Sequence, residues 1–167
     1  IQRNSGQNIY GGNLAAGGSR YLPAIQFNGH TGTAGRSLVA CNVFDSSAWT
    51  NAITSTRPGI EDGFNFNGSN NITARYNKLR GGGGGYTNTT GSCMAMGDDF
   101  GIGGQVRDNV CVKTPNNGIF TAGGHSHIIE NNLAYNVGAS GGNTMLAFGA
   151  GEFQDQIAHD ILIRNNR

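Results

Sequence analysis

Carboxylates and imidazoles recur at one kind of place along this chain. His30, Asp98 and Asp99, His125 and His127, and Glu152 each come just after a short apolar segment that closes on Gly. The phrases are Gly97-Asp98-Asp99-Phe100, Gly123-Gly124-His125-Ser126-His127 and Gly151-Glu152. Two carboxylates roughly 5–9 Å apart act on a glycosidic bond as acid and base, or as acid and nucleophile. An imidazole beside them tunes their pKa or carries protons. If the corners of successive segments align, Asp98, Asp99, His125 and Glu152 are the expected catalytic group. The plainer reading is turn chemistry, because Asp followed by Gly-rich sequence is what tight corners use.

A second set lies two residues ahead of a recurring Asn: Arg75, Arg107, Glu130 and Arg164. Guanidinium groups on one face bind the carboxylates of a uronic acid polymer through paired hydrogen bonds. Against that, an Arg-Glu-Arg stripe is also how an exposed sheet compensates its own charge. Arg75 and Arg107 are the expected substrate-binding cations, with His127 beside them. Trp49, in a long polar corner, is the best candidate for a platform that stacks on sugar rings, ahead of Tyr76, Tyr86 and Tyr135. Phe27, Phe64, Phe66 and Phe148 read as core.

No metal is assigned. Zinc is not expected, since His125-Ser126-His127 has no Cys or further His at zinc-site spacing. Calcium is the one cofactor with a rationale, through oxygens of Asp98 and Asp99, yet no ordered ligand spacing supports it. The run from Gly81 to Gly85 is no phosphate loop, because no Lys-Ser/Thr follows it.

The elements that must position these groups are short strands. The chain has 167 residues, 29 of them Gly, is rich in Asn, and is only 13% charged. Gly and Asn take backbone angles that other residues resist, so this composition suits tight corners. An apolar residue, two variable residues and an Asn recur as Tyr10-Gly11-Gly12-Asn13, Val39-Ala40-Cys41-Asn42, Ala74-Arg75-Tyr76-Asn77, Val106-Arg107-Asp108-Asn109, Ile129-Glu130-Asn131-Asn132 and Ile163-Arg164-Asn165-Asn166. These six Asn residues lie roughly 30 residues apart, as in a repeat array whose corners vary in length.

Before the later ones run Ala24-Ile25-Gln26-Phe27-Asn28-Gly29, Gly63-Phe64-Asn65-Phe66-Asn67-Gly68, Cys93-Met94-Ala95-Met96-Gly97, Gly118-Ile119-Phe120-Thr121-Ala122-Gly123 and Met145-Leu146-Ala147-Phe148-Gly149. Alternation of apolar and polar residues closing on Gly marks half-buried strands. No window shows convincing helical periodicity. Stacking such repeats joins Ile25, Phe64, Met94 and Ile119 into one core and lets the Asn residues pass hydrogen bonds along a ladder. The expected fold is all-β: a right-handed parallel β-helix of about five to six rungs, forming a single domain over residues 1–167.

With its Asn ladder, this pattern resembles the pectate-lyase-like superfamily of right-handed parallel β-helices, from about Gly6 to Arg167. The resemblance implies the fold, and a range of roles: lyases, hydrolases, epimerases, phage tailspikes and adhesins. Asp62-Gly63-Phe64, Asp98-Asp99 and Gly124-His125-Ser126 are similar in order to the motifs of one family of this fold, the polygalacturonases. Here, however, the Asp pair follows its strand rather than preceding it, and Ser126 replaces a Gly. In lyases of the superfamily an Arg or Lys on such a face abstracts a proton, often with calcium. The functional expectation is therefore a lyase or glycoside hydrolase acting on an acidic polysaccharide, outside the cell, on its surface or on a virion. The alternative is a non-catalytic tailspike-like or adhesin-like β-helix that binds glycans or only spaces other domains, trimeric in the tailspike case.

A net charge of +1 offers no footprint for nucleic acid. No apolar run approaches the roughly 20 residues that cross a bilayer. The three cysteines, Cys41, Cys93 and Cys111, allow at most one internal disulfide, and buried thiols are as good a reading as a bridge. The last residues, 161–167, stop inside a repeat and the first repeat has no capping segment, so the chain is expected to be part of a longer helix.

Overall fold

The computed structural model describes residues 1–7, 23–31, 35–46, 62–81, 92–97, 100–114, 117–135, 147–153 and 156–167. Every regular element among them is a β-strand. Accordingly, no helix among them is long and apolar enough to cross a membrane.

Fifteen of the strands form three parallel sheets of five. The first sheet holds β2 (Ile25–Asn28), β5 (Phe64–Asn67), β8 (Ser92–Met96), β11 (Asn117–Thr121) and β14 (Phe148–Ala150). The second holds β3 (Ser37–Ala40), β6 (Ile72–Arg75), β9 (Gln105–Arg107), β12 (Ile128–Glu130) and β17 (Leu162–Arg164). The third holds β1 (Ser5–Gln7), β4 (Val43–Ser46), β7 (Lys78–Gly81), β10 (Val110–Val112) and β13 (Leu133–Tyr135). The chain visits the sheets in that order on each pass, a repeating pattern compatible with a β-helix. One antiparallel hairpin, β15 (Glu152–Phe153) with β16 (Gln156–Ile157), interrupts the last pass.

The corner from second to third sheet is always two residues long. Its first residue takes the left-handed conformation: Arg3, Cys41, Tyr76, Asp108, Asn131 and Asn165 all have φ of 55–57°. That conformation costs a non-glycine residue about 1 kcal/mol or more. The second residue supplies the compensation. Asn42 donates its backbone N–H and Nδ2 to Asn77 Oδ1 at 3.0 and 2.9 Å. The same double link joins Asn4 to Asn42, Asn77 to Asn109, Asn109 to Asn132 and Asn132 to Asn166. Nδ2 of Asn77, Asn109 and Asn132 also donates to the carbonyls of Val39, Ala74 and Val106. The expected ladder thus exists, with one correction. The position below Asn42 belongs to Asn4, whereas Asn13 lies outside the described residues.

Register turns the repeated apolar positions into columns. Ile25, Phe64, Met94, Ile119 and Phe148 align across the first sheet. Val39, Ala74, Val106, Ile129 and Ile163 align across the second. Phe44, Leu79, Cys111 and Ala134 close the third side. Phe64, Met94, Ile119, Val39, Val106 and Ile129 are all fully buried. Inside this core Cys93 of β8 is bonded to Cys111 of β10, tying the first sheet to the third; Cys41 is a free, exposed thiol.

Candidate functional site

Alternation fixes which side chains the second sheet shows to solvent. The residue three before each ladder Asn faces the core, so its neighbour two before the Asn faces out. Ala40, Arg75, Arg107, Glu130 and Arg164 therefore form one column across β3, β6, β9, β12 and β17, in which Arg75 and Arg164 are exposed, Arg107 is half-buried, and Ala40 and Glu130 are buried. Leu38, Thr73, Gln105, Ile128 and Leu162 form the column beside it.

Charge is unevenly shared along that face. Arg164 holds Glu130 Oε2 through Nη2 at 2.7 Å and Nε at 2.8 Å. Arg107 lies farther from the same carboxylate, at 3.7 Å from Oε1, and also donates to Gln105. Arg75 is exposed and makes no ion pair among the described residues. Its guanidinium sits 5.5 Å from the centre of the Tyr76 ring, a contact that orders the cation without neutralising it. Two of the expected substrate-binding residues, Arg75 and Arg107, are thus strand neighbours on one face, the first exposed and the second half-buried.

The corner from first to second sheet gathers the histidines differently from the sequence expectation. Asp98 and Asp99 lie outside the described residues, as does Trp49. Glu152 comes two residues beyond the paired Ala150–Thr121, whereas His125 comes four beyond it. At Glu152 the last pass leaves the stack as the hairpin, returning where Ala158 N–H donates to the Gly151 carbonyl and His159 N–H to the Gly124 carbonyl. His125 is bridged to Ile102 on one side and to His159 on the other. Register therefore stacks His159, not Glu152, on His125. His30 stands apart, its Nε2 within 2.7 Å of Ser37 Oγ.

His127 also departs from expectation: it is 1% exposed, so it offers nothing to a polymer at the surface. It occupies the inward position five before the ladder Asn, which Ile72 fills two passes earlier and Gly104 one pass earlier. Gly104 makes the room, since a Cβ there would lie 2.9 Å from His127 Nδ1 and 3.1 Å from Met96 Sδ. Nδ1 accepts the Gly104 N–H at 3.0 Å, which places the ring proton on Nε2. Nε2 is buried without a partner at hydrogen-bond geometry. Burial lowers the imidazole pKa from 6.5 to about 4; the nearby Gly123 carbonyl opposes that shift and the charge of His125 adds to it.

The chain matches no family model, no curated protein and no solved structure. What the face does must accordingly be argued from its chemistry. Arg75 presents an exposed guanidinium one parallel strand, about 4.8 Å, from the half-buried Arg107, whose Nη atoms turn to Glu130 and Gln105. The residues sequence reasoning missed are His159 and Asp160. The available signal was that His159 precedes Asn166 by the same interval as His125 precedes Asn132.

Proposed function

We propose that this chain is a right-handed parallel β-helix, of the pectate-lyase-like kind, that engages an acidic polysaccharide across its second sheet. The observation that carries this reading is the free cation: Arg75 is exposed and unpaired among the described residues, directly in register with Arg107. A buried disulfide supports an extracellular, cell-surface or virion location, because such bonds persist in oxidising surroundings. The Asn ladder supports the solenoid, since it requires repeats stacked one on another.

The test is retention of the chain on immobilised polygalacturonate and on its methyl ester. Binding to the acid form alone, weakened about tenfold or more by Arg75→Ala with Arg107→Ala, supports the reading. Equal retention by the ester, or no effect of the paired substitution, refutes it. Depolymerisation of the bound polymer would make the chain a lyase or hydrolase. A stalk that only spaces other domains is the second reading, favoured by the way Arg164 already satisfies Glu130. It predicts no retention on either polymer.

A further inference from the structure

The corner that pairs His125 with His159 has the makings of a metal site. The two rings are stacked, with centroids 4.8 Å apart and planes 15° from parallel. Each ring has its Nδ1 occupied by the side chain that follows it. His125 Nδ1 lies 3.0 Å from Ser126 Oγ, and His159 Nδ1 lies 2.9 Å from Asp160 Oδ2. Ser126 and Asp160 share the left-handed conformation, with φ of 60° and 53°. The same backbone turn is therefore made twice, one strand apart, with the same use of Nδ1. Neither Nε2 has a hydrogen-bond partner among the described residues.

A neutral His159 that donates Nδ1–H to the Asp160 carboxylate carries its lone pair on Nε2. A carboxylate behind an imidazole is the usual support for a metal-ligating histidine, fixing the tautomer and raising ligand basicity. Two such rings on neighbouring passes are a bidentate donor set.

We infer that His125 and His159 bind one divalent transition ion, of the class Cu²⁺, Ni²⁺ or Zn²⁺, through their two Nε2 atoms. Imidazole suits these ions and not calcium or magnesium, which take oxygen ligands. No third His, Cys or carboxylate joins the pair among the described residues, so water completes the coordination sphere. Binding requires the rings to tilt toward each other until both nitrogens lie about 2.0–2.1 Å from the ion. His159 has the freedom to make that tilt, since its side chain is 60% exposed, whereas His125 is half-buried. The site stands apart from the arginine column and does not depend on the polysaccharide reading. Sequence spacing concealed it because its second ligand comes from the next pass, not from the neighbouring His127.

The experiment is calorimetric titration of the chain with Cu²⁺ near pH 7.5, with electron paramagnetic resonance of the loaded protein. The expected result is one ion per chain with two nitrogen ligands. His125→Gln or His159→Gln weakens binding about 100-fold by abolishing the chelate. Asp160→Asn weakens it about tenfold through loss of the supporting carboxylate. His30→Gln, away from the pair, changes nothing. Absence of binding, a single-nitrogen spectrum, or equal losses in His30→Gln and His159→Gln would overturn the proposal.

Discussion

Replacing His127 with glutamine should remove a defined part of the fold's acid sensitivity. The wild-type imidazole is buried and has a pKa of about 4, against 6.5 for an exposed ring. An unfolded chain therefore takes up this proton near pH 6.5, but the folded chain only near pH 4. Above pH 6.5 both states are neutral at this position and the group has no effect on stability. As pH falls through the window the unfolded state binds more protons, and stability drops by about 1.4 kcal/mol for each pH unit. Below pH 4 the loss levels off at about 3 kcal/mol. Glutamine keeps a carbonyl that can accept the Gly104 N–H, and it does not titrate. The assay is urea unfolding followed by circular dichroism near pH 7.5, 5.5 and 4, on both proteins. Carboxylates titrate alike in the two and cancel in the difference. The variant should gain about 3 kcal/mol relative to wild type between the highest and lowest pH. Parallel stability profiles would refute the reasoning, since they would mean that His127 titrates as a solvated ring.

Further outcomes follow from the packing. Asn109→Ala strips the acceptor from Asn77 N–H and Asn77 Nδ2 and the donor from the Ala74 carbonyl. At about 1–3 kcal/mol for each buried group left unpaired, it should cost at least about 3 kcal/mol in urea unfolding. Asn166→Ala, whose ladder bonds are only part-buried, should cost less. Gly124→Ala would drive a Cβ into the Gly101 carbonyl at φ +72°, and should lower stability by more than about 4 kcal/mol. Gly29→Ala, at φ +61° with nothing near, should cost only about 1–2 kcal/mol; equal losses at the two sites would contradict the packing account. Reducing the Cys93–Cys111 bond, which spans 18 residues, should lower stability by about 3 kcal/mol. Cys41→Ser, by contrast, should leave thermal unfolding unchanged.

Legibility in the sequence tracked the constancy of each corner. Between second and third sheets the turn never changes length, so the residues at three, two and zero positions before the Asn keep their roles on every pass. That regularity exposed Val106 as core, Arg107 as surface and Asn109 as ladder from spacing alone. Asn4 is readable on the same rule, since Ile1-Gln2-Arg3-Asn4 has the full pattern, as Tyr10-Gly11-Gly12-Asn13 also does. The first-to-second corner varies widely, from the short link between Asn67 and Ile72 to the long one between Ala150 and Leu162. Residues after the first strand therefore cannot be aligned by counting forward from it. Counting that way placed Glu152 beside His125, whereas counting back from the Asn finds His159. The inward turn of His127 was hidden for another reason: it depends on the missing side chain of Gly104, a residue on a different pass. The disulfide was open in the sequence, and only the proximity of β8 and β10 selects Cys93 and Cys111 over Cys41.

The most direct test of the central claim is a nuclear magnetic resonance titration of the ¹⁵N-labelled chain with an acidic oligogalacturonate. The account predicts amide shifts centred on β6 and β9, around Arg75, Tyr76, Gln105 and Arg107, and their loss when the sugar carboxylates are esterified. Shifts centred on Lys78 and Arg80 of the third sheet, or no shifts at all, would contradict it.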